Sequence, residues 1–369
     1  MELSWFNITA KSWDVVTLSQ RASEVLGESI WLSALYLVLI VVGLAAFLAL
    51  IALYLVYAER KIAGHFQCRL GPMRVGWHGL LQTIADAFKL LFKEDNIPER
   101  ADKFLFWLAP ILSIGASILL LGILPYSPIV QIIDLNIGVV FVLAVSGFGV
   151  LGTLLGGWGS NNKWSLLGAM RSGAQIISFE VSTILALLVV VIFSGSLQLS
   201  EIVQSQADGW WIWRGHISGF LAFLLFLTAS TAELNRTPFD LPEAESELTG
   251  GFHTEFSGLR FGFFFLAEFI GMFVVAALGS TLFLGGWMPF HIGGLETFNS
   301  IMDIIPPGIW FTVKTIFLIF VLMWFRWTFP RLRVDQLMRL EWKVLLPIGF
   351  LNLLIASLLV LFGYYFFPS

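Results

Sequence analysis

The chain has 369 residues, 57% of them hydrophobic and only 12% charged, with a formal net charge of −4 and a mean hydropathy of +0.85. That balance excludes an ordinary soluble domain, and uncharged apolar stretches of about 20 residues place the chain in a bilayer. A single cysteine, Cys68, excludes an intrachain disulfide and an iron–sulfur cluster held by this chain's own thiolates.

In chain order, residues 1–28 form an outer N-terminal segment of mixed charge, without the apolar core and small-residue cleavage site of a signal peptide. Residues 29–369 read as a single membrane domain with eight candidate spans, at 29–57, 104–125, 136–157, 172–194, 217–233, 261–285, 309–327 and 344–367. The first is long enough to tilt or to project from the hydrocarbon. The fold class expected is all-α integral membrane, with about eight transmembrane helices and an amphipathic interfacial helix on the cytoplasmic side. That helix lies in the first structured loop, 58–103. Trp77, Leu80, Leu81, Ile84, Phe88 and Leu91 recur at spacings of three and four, while Gln82, Asp86, Lys89 and Lys93 share the other face. The competing reading is a soluble helix packed against the bundle. The other structured loops are 234–260 and 326–343, the last read as a basic, aromatic solvated face or docking surface.

Gly147-Phe-Gly149-Val-Leu-Gly152 matches a dinucleotide fingerprint but sits inside an apolar span, with no strand before it and no acidic residue about twenty further on. Its small residues, with Gly152 and Gly156, read instead as close helix packing. Of the 21 Lys and Arg residues, 17 fall in the segments 58–103, 158–171, 234–260 and 326–343, and 3 in the opposite set, with Lys314 inside a span. By the positive-inside bias both termini face the outer, periplasmic side and the acidic loop faces the cytoplasm. The histidines, His65, His78, His216, His253 and His291, lack metal-ligand spacing, so no metal site is expected.

The charges are concentrated. Glu233 to Glu247 packs one Arg and five carboxylates into fifteen residues. Glu180, Glu233 and Glu268 lie inside or at the ends of spans, at similar depth. Glu243, Glu245 and Glu247 share a face if extended; on a helix Glu245 opposes the other two. Crowded carboxylates in apolar surroundings repel one another and resist ionising, which suits a proton path from the cytoplasmic surface toward mid-membrane. Pairing with Arg236, Arg260 or Lys314 is the structural alternative. A calcium site at Asp240, Glu243 and Glu247 lacks regular ligand spacing. Glu59, Arg60, Arg69 and Asp86 form a second cluster, a candidate polar mouth beside the amphipathic helix, although Arg60 and Arg69 equally suit lipid phosphates.

The strings AERKIAGHFQCRLGP, LLQTIADAFKLLFKE, SNNKWSLLGAMRSGAQIISFE and AELNRTPFDLPEAESELTGGFHTEFSGLRFG resemble the family of the quinone-site membrane subunit of respiratory complex I, a proton-pumping NADH:quinone oxidoreductase. The resemblance runs from about residue 29 to the C-terminus. It implies quinone as substrate, with nothing bound covalently, in a chamber lined by Glu59, Arg60, Arg69, Asp86, Arg236 and Asp240. It implies an acidic chain at Glu180, Glu233, Glu243, Glu245, Glu247, Glu255 and Glu268. It implies FMN and iron–sulfur clusters on partner subunits: peripheral iron–sulfur and quinone-site subunits on the cytoplasmic side, small and antiporter-like membrane subunits in the bilayer, and lipid, with no nucleic acid. The location implied is a bacterial inner membrane. The third span carries no carboxylate where some relatives have one. Ferredoxin-driven complexes and membrane hydrogenases hold equivalent subunits. A stand-alone ion transporter and a passive anchor are the remaining readings; no clear internal repeat supports the transporter.

Overall fold

The computed structural model describes residues 17–18, 30–207, 209–241, 250–291 and 296–363. Among the described residues, eight helices are long and apolar enough to cross a membrane. They are α1 (Ile30–Phe66), α3 (Lys103–Ile123), α4 (Gly138–Gly159), α5 (Lys163–Ser194), α6 (His216–Glu233), α7 (Gly258–Phe283), α8 (Pro307–Thr328) and α9 (Val334–Leu361). A shorter helix, α2 (Gln82–Phe92), lies between α1 and α3. No strand occurs among the described residues.

Three boundaries differ from the sequence expectation, each for a local reason. Charged residues led the sequence reading to end the first span at 57, yet α1 continues to Phe66 and carries Glu59 and Arg60 on its last turns. Its 37 residues make a rod of about 55 Å, longer than a bilayer core of about 30 Å. The fourth helix begins at Lys163 rather than 172, because Asn162 caps it by accepting from the Trp164 amide at 2.9 Å. The eighth span begins at Val334 rather than 344 and contains a π turn at Glu341–Leu345.

Trp77, Leu80, Leu81, Ile84, Phe88 and Leu91 are all exposed, with Trp77 and Gly79 in a 3₁₀ turn that leads into α2. An apolar face left uncovered beside a transmembrane bundle fits a helix lying on the bilayer surface. The glycines of α4 act as packing residues. A Cβ on Gly152 would meet the Ser113 hydroxyl at 2.3 Å and the Ala109 carbonyl oxygen at 3.0 Å, so α3 and α4 approach backbone to backbone. Gly152→Val is expected to force these helices apart at a cost of about 1–3 kcal/mol, seen as a lower melting temperature in detergent. An unchanged melting temperature would contradict that packing.

Lys314, inside α8, pairs with none of the described candidate carboxylates. Its ammonium donates to the carbonyl oxygens of Leu284, Gly286 and Met288 at 2.6, 3.0 and 2.6 Å, and lies 4.4 Å from the Trp210 ring centroid. It therefore ties α8 to the chain leaving α7.

Candidate functional site

Arg236 organises the charged centre. It follows α6 in a segment that turns through Asn235, whose φ is +52°. Gln175 of α5 fixes this segment by donating to the Ala232 and Phe239 carbonyl oxygens, both at 2.7 Å. The Arg236 side chain is 1% exposed; its Nη1 lies 2.8 Å from Glu59 Oε2, and its Nη2 lies 2.9 Å from Glu268 Oε1. The guanidinium also sits 4.8 Å from the Phe269 ring centroid. From α8, Arg326 reaches Glu59 Oε1 at 2.5 Å and Glu268 Oε1 at 3.8 Å. Two arginines and two carboxylates, from α1, the α6–α7 segment, α7 and α8, thus make one network whose Arg236–Glu59 centre is buried. Each buried charge has an opposite partner, which burial demands.

Arg60 follows Glu59 on α1 and points about 100° away from it, toward α2. There it bonds Asp86, which also accepts from Gln82 Nε2 at 3.2 Å. Arg69 does not join the expected polar mouth. The chain reverses at Cys68, with a φ of +52°, and Arg69 is exposed, donating to Gln67 Oε1 at 2.6 Å. The four residues expected there therefore divide into the buried Glu59 network, the Arg60–Asp86 pair and a surface Arg69.

A cavity of about 410 Å³ opens beside the network. Its walls include Glu180, Glu233 and Glu268, together with Arg326, Ser146 and Thr183. The environments of the three carboxylates differ. Glu268 is held by two arginines. Glu233 accepts from the Thr183 hydroxyl at 2.5 Å, and Glu180 from the Ser146 hydroxyl at 3.4 Å. Among the described residues, no Lys or Arg pairs with Glu180 or Glu233. Structural pairing thus accounts for Glu268 and leaves Glu180 and Glu233 with hydroxyl partners. His253 also lines it, from a turn outside the spans; burial pushes its imidazole down to about 4, so it is neutral near pH 7.

Glu255 lies apart from these walls and accepts from Asn162 Nδ2 at 2.5 Å, joining the start of α5 to the segment before α7. Asp240 is partly buried, four residues beyond Arg236. Arg260 pairs with Asp95 at 3.2 Å, away from the candidate carboxylates. Glu243, Glu245 and Glu247 lie outside the described residues. Sequence reasoning missed Arg326, because an Arg at the inner end of a span reads as positive-inside bias. It also missed Ser146 and Thr183, whose hydroxyls have no signature in an apolar helix.

A family model described as NADH dehydrogenase matches residues 38–357. The chain is 54% identical to the H subunit of the NADH-quinone oxidoreductase of Bacteroides fragilis, over 95% of this chain and 97% of that protein. It is 54% identical to the corresponding H subunit of Phocaeicola vulgatus, over 89% and 92%. It is 46% identical to that of Brevibacillus brevis, over 93% and 97%.

Proposed function

The chain belongs to the NADH dehydrogenase family, as an H subunit of NADH-quinone oxidoreductase, and we propose that it walls the quinone chamber and carries an acidic proton path away from it. The observation that carries this reading is the cavity shared by Glu180, Glu233 and Glu268, two of which hold hydroxyl partners rather than cations. The chamber wall is assigned to Glu59, Arg60, Asp86, Arg236 and Asp240, on the cytoplasmic side. Arg69 takes the surface beside it. Electrons arrive from cytoplasmic partner subunits that bear FMN and iron–sulfur clusters. Antiporter-like and small membrane subunits receive the coupling in the bilayer of a bacterial inner membrane, with both termini outside.

The network supplies a physical link between the two halves of this function. Arg236 holds Glu59 with one nitrogen and Glu268 with the other. Reduction of a quinone by two electrons builds negative charge at the chamber and draws protons to it. New negative charge near Glu59 and Arg236 changes how the guanidinium is shared, and so changes the field Glu268 presents to the cavity. Glu233 and Glu180, lacking cations, answer by taking up or releasing protons. Proton holding by such a set is a property of the group and not of one residue.

The chamber assignment is tested at Asp86. The Arg60 and Asp86 side chains are 41% and 30% exposed, so the pair contributes only about 0–1 kcal/mol to stability. Asp86→Asn is therefore expected to leave assembly intact and to raise the KM for quinone, measured by titration with a short-chain quinone. An unchanged KM would remove this pair from the chamber.

A further inference from the structure

Glu341 is a fully buried carboxylate with no part in the proton path proposed so far. The sequence places it in a basic, aromatic segment with the character of a solvated face; the structure turns it inward. Leu337, Glu341, Leu345 and Gly349 are all buried, at steps of four. Four residues of an α-helix overshoot a turn by about 40°, so steps of four drift off a face. The π turn at Glu341–Leu345 widens the helix locally and offsets part of that drift. Glu341 Oε1 accepts from the Ser182 hydroxyl at 2.6 Å, while its buried Oε2 makes no hydrogen bond to a described residue. An ionised carboxylate so placed lacks the compensation that burial requires.

Its position relates it to the cavity. Ser182 and Thr183 are neighbours on α5 and point about 100° apart. Ser182 holds Glu341 of α9, and Thr183 holds Glu233 of α6. Glu180, on the same turn of α5, faces Ser146 of α4. Glu180 thus projects from α5 at the level where Glu233 and Glu341 pack against that helix, and both Glu180 and Glu341 lie within electrostatic reach of Glu233.

We infer that Glu341 is a further proton-holding carboxylate, coupled to Glu233, that extends the path from the cavity around α5 to α9. This inference rests on the proton path proposed above. In the step, the O–H bond of a protonated Glu233 breaks and an O–H bond forms at Glu341 Oε2. Glu233 becomes the carboxylate and Glu341 the neutral acid, so the pair keeps its total charge and needs no other reactant. Repulsion between neighbouring carboxylates favours one proton shared between them.

The test compares Glu341→Gln with Glu233→Gln in the assembled complex, by proton uptake per electron in proteoliposomes and by the infrared difference spectrum on quinone reduction. Gln keeps the shape and still accepts from Ser182, but it cannot ionise. Glu341→Gln is expected to lower proton uptake per electron and to remove a carboxylic C=O difference band. If Glu341→Gln behaves as wild type while Glu233→Gln loses both signals, Glu341 is structural and the inference fails, with the proton path intact. If both variants behave as wild type, the path fails and the inference with it. Should Glu341→Gln not assemble, Ser182→Ala removes the hydroxyl bond and leaves the carboxyl. A shifted C=O band then supports the inference, and an unshifted spectrum overturns it.

Discussion

Arg236→Ala is expected to cost about 3–5 kcal/mol, because it strips one partner from a buried ionic network and leaves carboxylate charge behind. The loss is uneven. Arg326 still holds Glu59 at 2.5 Å, but its 3.8 Å approach to Glu268 is a weak substitute for the 2.9 Å contact from Arg236. Glu268 therefore bears most of the damage, and the contact with the Phe269 ring is lost as well. Arg236→Lys is not expected to rescue, since an ammonium has no planar fork to serve two carboxylates at fixed positions. The predicted phenotype is less assembled complex on native gels and slow quinone reduction in what does assemble. A fully assembled Arg236→Ala complex with normal quinone kinetics would contradict the role given to this network.

The second large effect concerns Glu180 and Glu233. Their partners are the hydroxyls of Ser146 and Thr183, so conversion to Gln strands no cation. Assembly is expected to survive. Coupled turnover is expected to fall by about tenfold or more, given that a positioned proton-transfer group typically contributes about 10² or more to rate. Glu268→Gln is a less clean probe, because it also loosens Arg236 and Arg326; its phenotype mixes structure with proton handling.

The eight spans and the interfacial helix were legible because bilayer thickness imposes long apolar runs and because α2 alternates its faces at helical spacing. Helix ends were less legible. Glu59 and Arg60 look like the end of a span, yet α1 carries them on its last turns, where Glu59 finds Arg236 and Arg326 and Arg60 finds Asp86. The common level of Glu180, Glu233 and Glu268, which line one cavity, followed from counting residues inward from the nearest charges. Their unequal partners did not, because the arginines that hold Glu268 come from segments far apart in the chain. The direction of Arg69 was not legible either: a left-handed backbone at Cys68 sets it, and nothing in its charge reveals that. Glu341 was hidden by Arg339 and Lys343 on either side, since the π turn that aims it inward leaves no composition signal.

The central claim is that quinone chemistry at the Arg236 end drives proton exchange in the cavity beside it. The most direct measurement is proton uptake per electron during NADH-driven quinone reduction in proteoliposomes, with Glu180→Gln and Glu233→Gln compared with wild type at equal assembly. Reduced proton uptake per electron in both variants is the predicted result. Wild-type proton-to-electron ratios and rates in both would contradict the account and leave these carboxylates as structural groups.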